Sequence, residues 1–600
     1  MSQQAKQAET MEKPKETLPD WDLSHLYAGP DAPELEADLA WAMERSKAVR
    51  AAYEGKMAGL SGAELGKAIA EYEEIGERLN KAMSYAQLLF ASNVENPEHG
   101  RFYQTLAERV TVISSETLFF GLELNRIDDA VLEKQLEAPE AAHYEPWIRD
   151  VRVFRPHQLS DEAEKLLHEK SVTGRSAWNR LFDETMAGLR FPIDGEDLPI
   201  SDTLNMLSDT DGKKRRKAAK ALGEVLAKNL RLFTLITNTL AKDKEIEDQW
   251  RNFPRPVSSR NLSNFVEDEV VEALVSSVRD AFPSLSHRYY ALKAKWFGGD
   301  KLDYWDRNAP LPGDVDRRYS WAEARETVLG AYGGFDPRMA DTAKRFFDER
   351  WIDVPPRAGK DSGAFAHPVV PSAHPYILLN FHGKARDVMT LAHELGHGVH
   401  QVLAAGQGGL MSDTPLTLAE TASVFGEMLT FRALLAAEGD PARRRILIAG
   451  KVEDMLNTVV RQIAFHEFER RVHDERRQGE IATERLCEIW MDVQAESLGP
   501  ALRYDDDYKA YWAYIPHFIH SPFYVYAYAF GDCLVNSLYD VFQGGHPGFQ
   551  AKYLDMLRAG GTLRHKELLA PFGLNAADPA FWKRGLSMIS GFIDELEAME

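Results

Sequence analysis

The chain is 600 residues long, with 44% apolar and 27% charged side chains, ordinary proportions for a soluble globular protein of more than one usual domain. Its 71 basic and 93 acidic side chains leave a formal charge of −22; phosphate binding calls for a basic surface, so no nucleic-acid partner is expected. The two cysteines, Cys487 and Cys533, make no disulfide framework, and no run reaches the roughly 18 apolar residues of a membrane span, so a cytoplasmic protein with no membrane partner is expected.

Residues 1–20 are polar and lack the apolar stretch of a signal peptide, so they read as a disordered N-terminal tail. Helical periodicity follows over 33–53, 62–90 and 161–171, and residues 21–188 are expected to form an N-terminal helical lobe. The stretch 189–201 reads as a β-hairpin and marks the boundary with the remainder, 189–600. The basic cluster Lys213 to Lys217 reads as a solvated helix start, and 265–282 as a further helix. Three short extended segments, 351–354, 362–366 and 376–381, are separated by prolines. Gly363, Ala364 and Phe365 are candidates for an edge that pairs with an extended peptide, with a plain structural hairpin as the alternative.

His393-Glu394-Leu395-Gly396-His397 follows at once. Two histidines four apart on a helix project side by side, with the glutamate next to them, which is the HExxH arrangement of zinc peptidases. Val388, Leu391, Ala392, Leu395 and Val399 form one apolar stripe, leaving the histidines off it. Such a zinc site needs a third protein ligand. In the probable helix over 418–429, Glu420, Ser423, Val424 and Glu427 share a face; Glu420 is the candidate ligand, and Glu427 the candidate partner for a histidine N–H. Gly406, Gly408 and Gly409 let the chain reverse between the two helices. Further on, the aromatic run 523–530 lies beside His517 and His520. Buried tyrosine hydroxyls need partners, so His517, Tyr526 and Tyr528 are candidate catalytic donors and His520 and Tyr524 candidate substrate contacts, with core packing as the alternative. At the C-terminus, Asp578 and Pro579 open a helix that turns Phe581, Trp582, Leu586, Ile589 and Phe592 inward.

HELGHGVH followed by ETASVFGEML resembles the thimet oligopeptidase family of metallopeptidases, in its oligoendopeptidase F branch. The segments 21–27, 376–381 and 516–531 are similar to that branch in kind and order. The resemblance implies a mainly α fold of two helical lobes around a deep substrate channel, with a small β-sheet next to the HExxH helix and residues 189–600 as the catalytic domain. It implies one zinc ion per chain on His393, His397 and Glu420, with Glu394 as general base. The implied activity is zinc-dependent endopeptidase cleavage of oligopeptides. A zinc exopeptidase trimming peptide ends, or an inactive peptide-binding helical protein, are the alternatives; the oligomeric state stays open.

Overall fold

The computed structural model describes residues 17–312 and 317–600. Most of the expected tail, residues 1–16, lies outside them. Among the described residues the protein is mainly α-helical with three small sheets, and no helix is long and apolar enough to cross a membrane.

The N-terminal helices follow their sequence signals closely. Pro33–Tyr53 opens on a proline with Glu34 and Glu36 in its first turn, and buries Leu35, Leu39, Ala42, Ser46 and Val49 along one stripe. Gly62–Ser92 is closed by a reciprocal cap, in which Ser61 Oγ accepts from the Glu64 N–H while Glu64 accepts from the Ser61 N–H. These helices share one continuous apolar core with the HExxH helix and the C-terminal helix Pro579–Glu597. A second core joins Phe182 and Met186 to Phe191 and Ile193, to the long helix Gly212–Trp250 and to residues 464–525. Packing therefore runs across the hairpin at 191–198, although that hairpin is present as read. Phe191–Ile193 and Glu196–Leu198 pair antiparallel around Asp194 (φ 54°) and Gly195 (φ 92°), the left-handed pair that a two-residue turn needs.

Two expectations are corrected. The helix read over 265–282 spans Asp268–Ala281, because Phe265 sits at φ 51° and ends the preceding turn. Within the basic cluster, Lys213, Lys214, Arg216 and Lys217 are exposed as read, but Arg215 is buried, with its guanidinium on Asp306 at 2.7 Å.

In the three-stranded sheet, Tyr376–Leu378 is central, parallel to Ile352–Asp353 and antiparallel to Phe365–His367. Phe365–His367 is thus an edge strand, and its outer side meets the HExxH helix, Ala385–Ala404, where Gln401 Nε2 donates to the Ala366 carbonyl at 3.3 Å. Asp387 fixes the start of that helix by accepting from the His382 and Lys384 N–H groups at 2.8 and 2.9 Å. Val388, Leu391, Ala392, Leu395 and Val399 are fully buried, as the stripe requires. The chain then reverses through Gly408, at φ 88°, where Glu73 of the N-terminal helices accepts from the Leu410 N–H at 3.1 Å.

The returning helix, Thr421–Ala437, crosses against Gly396. A Cβ at Gly396 would stand 2.4 Å from the Ala422 carbonyl oxygen and 2.6 Å from Ser423 Cα, and both obstacles are backbone. Gly396→Ala is accordingly expected to destabilise the fold by ~1–3 kcal/mol, the usual penalty of overpacking. Urea unfolding measures this; a variant as stable as the parent would contradict the contact.

Candidate metal centre

One helical turn separates His393 from His397, and their rings lie 4.9 Å apart. Glu420 enters from the break between the short helix Leu416–Ala419 and Thr421–Ala437. Its Oε2 is 3.4 Å from His393 Nε2 and 3.5 Å from His397 Nε2. The three donor atoms lie within 4.8 Å of one another, the single such group of histidine, cysteine and carboxylate side chains among the described residues. Two imidazole nitrogens and a carboxylate oxygen at these separations suit a tetrahedral ion with bonds of ~2.1 Å. All three side chains are half-buried, so one side stays open. Ser423 steadies the carboxylate, its Oγ donating to Glu420 Oε2 at 2.6 Å.

Behind this trio stands a second set of contacts. With its Nε2 turned to the donor point, His393 donates from Nδ1 to Glu427 Oε2 at 3.2 Å, the arrangement that fixes tautomer and ring orientation in metal-binding histidines. Glu427 Oε1 accepts in turn from Lys451 Nζ at 2.5 Å. Lys451 is buried on the helix Pro441–Thr458. The single helix read over 418–429 is corrected: it breaks at Glu420, which stands between Leu416–Ala419 and Thr421–Ala437, while Ser423 and Glu427 lie on the second helix. Lys451, on another helix and outside any motif, gave no signal.

Glu394 is only 7% exposed, and the Ala366 backbone of the edge strand lies near enough to favour its charged form. Burial, with the charge of Glu420, lifts its pKa to about 7 against the opposing pull of His393. For His393, burial disfavours the cation, but the hydrogen bond to Glu427 and the charges of Glu420, Glu394 and Glu427 outweigh it and raise the pKa to about 9. His397 moves the other way, to about 4, through burial, with the neighbouring His393 charge adding to it against Glu420. Glu427 stays ionised despite burial, near 2, because Lys451 and His393 hold it there.

The 517–528 segment is a short helix, His517–His520, a turn at Phe523 (φ 59°), and the start of the helix Tyr526–Gln543. Residues two apart on a helix point about 200° apart, and this separates the two candidate tyrosines. Tyr528 lies in the field of Glu420, packs edge-on against Tyr524 at 5.3 Å, and has its hydroxyl 3.4 Å from His517 Nε2. Tyr524, also within reach of Glu420's charge, stacks on His517 at 6.1 Å. Tyr526 faces the core instead: it is fully buried and its hydroxyl accepts from Asn264 at 2.8 Å. The expectation of a catalytic Tyr526 is therefore corrected. His520 is exposed and tied to Asp183 at 2.8 Å, so the structure does not bring it to the trio. Gly363 and Ala364 lead into the edge strand, which starts at Phe365, and the Gly363 carbonyl accepts from Asn380 at 3.0 Å. The turn at Phe523 is held by Glu469, which accepts from its N–H at 2.8 Å; Glu469 was another residue that no sequence pattern singled out.

A helical fold carrying this donor set beside a buried glutamate defines a peptidase of the HExxH metallopeptidase class. The chain belongs to peptidase family M3, whose profile matches residues 205–588, and an Oligopeptidase F profile matches residues 123–191. Among characterised relatives, "Oligopeptidase PepF" of Bacillus subtilis is 27% identical over 603 residues, covering 95% of this chain and 88% of that protein. "Group B oligopeptidase PepB" of Streptococcus agalactiae is 26% identical over 593 residues, with 96% of each covered. In fold, the chain is similar to a structure from Chlamydophila abortus with a TM-score of 0.86 at 22% identity, covering 97% of this chain and 98% of that one. It is similar to the oligoendopeptidase-F structure from Enterococcus faecium with a TM-score of 0.69 at 23% identity, covering 94% and 97%.

Metal uptake is expected to depend on pH with a defined sign. A proton on His393 competes with the ion for Nε2, and in the metal-free protein that proton is held up to about pH 9. Affinity should rise with pH from 6.5 towards 9, with release of a proton on binding. Calorimetry in buffers of different ionisation heat measures that proton; binding that is flat over this range would contradict the assignment.

Proposed function

We propose that the protein is a zinc-dependent endopeptidase that hydrolyses internal bonds of oligopeptides with Glu394 as general base. The observation that carries this reading is the placement of a buried glutamate beside two imidazole donors and a carboxylate donor that converge on one solvent-reached point. His393, His397 and Glu420 would hold a zinc ion, which would supply Lewis acidity towards the scissile carbonyl and a water.

The protein's own groups do the rest. Glu394 takes a proton from the attacking water and, as the acid, returns it to the leaving amine. Tyr528, partnered by His517, presents a hydroxyl to the oxyanion as charge develops, and Tyr524 beside it is a second donor. Gly363 to Phe365, where the chain enters the sheet edge, is the proposed place for pairing with an extended substrate backbone, which gives sequence-tolerant recognition. A channel between helical lobes would admit oligopeptides and exclude folded proteins. Buried, unpaired Cys487 and Cys533 suit a reducing compartment such as the cytoplasm.

Cleavage is expected on peptides blocked at both ends, with fragments identified by mass; turnover confined to free-ended peptides would favour exopeptidase action. Glu394→Gln should keep the metal and lose kcat by ~10²–10⁴, the range of general-base catalysis. Full turnover in that variant would remove Glu394 from its role. Tyr528→Phe should lower kcat by ~10²–10³, as loss of one oxyanion donor does. Tyr526→Phe should leave kcat within about twofold and cost ~1 kcal/mol of stability through its lost bond to Asn264. The reverse order of effects on kcat would exchange the two tyrosines.

A further inference from the structure

The contacts behind His393 continue one residue further than the metal chemistry requires. Glu427 is largely covered, its side chain 18% exposed, and it divides its two oxygens: Oε2 takes His393 Nδ1 at 3.2 Å and Oε1 takes Lys451 Nζ at 2.5 Å. Lys451 has a side chain only 5% exposed, a depth at which lysines are rare unless paired. It belongs to the helix Pro441–Thr458, which contributes nothing to the donor trio. The charges that face it are Glu427, Asp532 and Asp454. Asp532, from the helix Tyr526–Gln543, is buried and spends Oδ2 on Asn536 at 2.8 Å; Asp454 is one turn along the lysine's own helix.

A buried carboxylate without a counter-charge is unstable in place and rotates or recruits water. A lysine fixed on one of its oxygens prevents this and leaves the other oxygen aimed at the imidazole. We infer that Lys451 is a positioning residue for the metal centre: by neutralising Glu427 and pinning its Oε1, it keeps Oε2 on His393 Nδ1 and so keeps the Nε2 lone pair on the metal point. The ion pair is therefore part of metal affinity, although Lys451 touches neither the ion nor the substrate. This rests on the metal-centre reading above.

The test is a double-mutant cycle on the full chain, reading the zinc dissociation constant by competition with a chromogenic chelator at fixed pH. Circular dichroism and thermal unfolding check the fold of each variant. Lys451→Met removes the cation at nearly constant volume and strands the carboxylate; Glu427→Gln strands the cation. Changes in the contacts that orient metal ligands commonly cost 10–100-fold in affinity, and each single variant is expected to weaken zinc binding by that much. With both charges gone, the glutamine carbonyl oxygen still accepts from His393, so the double variant should bind zinc more tightly than either single one. Lys451→Met within twofold of the parent, or a double variant no tighter than the singles, would overturn the inference. If Lys451→Met does not fold, the comparison of Glu427→Gln with the double variant decides alone. A parent chain that takes up no zinc would instead overturn the metal-centre reading itself.

Discussion

The centre depends on one close approach. Where the HExxH helix crosses Thr421–Ala437, Gly396 lets backbone meet backbone with no room for a Cβ. That contact sets the distance between the helices, and with it the reach of short side chains across the gap. Glu420 and Glu427 sit two turns apart on the returning segment, and each can meet its histidine atom only if the helices are this close. One oxygen of Glu420 then lies 3.4 and 3.5 Å from the two Nε2 atoms, while Glu427 closes on the far nitrogen of His393. The glycine between the two histidines is thus a packing requirement of the metal site as much as part of a motif.

Charge in the centre is arranged outward from this crossing. Three carboxylates, Glu394, Glu420 and Glu427, stand around two imidazoles in a largely buried place, and each is handled differently. Glu420 is left half-open with Ser423 as its donor, as suits a ligand. Glu427 is neutralised by Lys451 and stays ionised. Glu394 has no ion pair among the described residues, and burial with the charge of Glu420 raises its proton affinity towards neutrality against the pull of His393, as the proposed general base requires. The sheet edge before it is tied to the HExxH helix through the bond from Gln401 to the Ala366 carbonyl.

How legible this was in the sequence follows from how local each signal is. The HExxH turn, the apolar stripe under it, the hairpin at 191–198, the helix 33–53 and the start of the last helix at Asp578 all depend on neighbours a few residues away, and they appear as read. The aromatic run reads as one set in sequence, but its members diverge in space: Tyr524 and Tyr528 lie in the field of Glu420, while Tyr526 turns to Asn264. His520 was drawn in by its nearness to His517, but it leans on Asp183. Arg215 looked solvated among lysines, and its partner Asp306 is 91 positions away. Lys451 and Glu469 act through partners on other helices, and no periodicity marks such pairs. What the pattern could not reach in every case was a contact between distant segments.

The most direct test of the central claim is a titration of metal-free protein with zinc, following binding and hydrolysis of an internally quenched, doubly blocked peptide in the same samples. The account predicts that turnover rises linearly to one equivalent of zinc and no further, with cleavage at an internal bond. Full turnover without added metal, or one bound equivalent with no cleavage of peptides of any length, would contradict it.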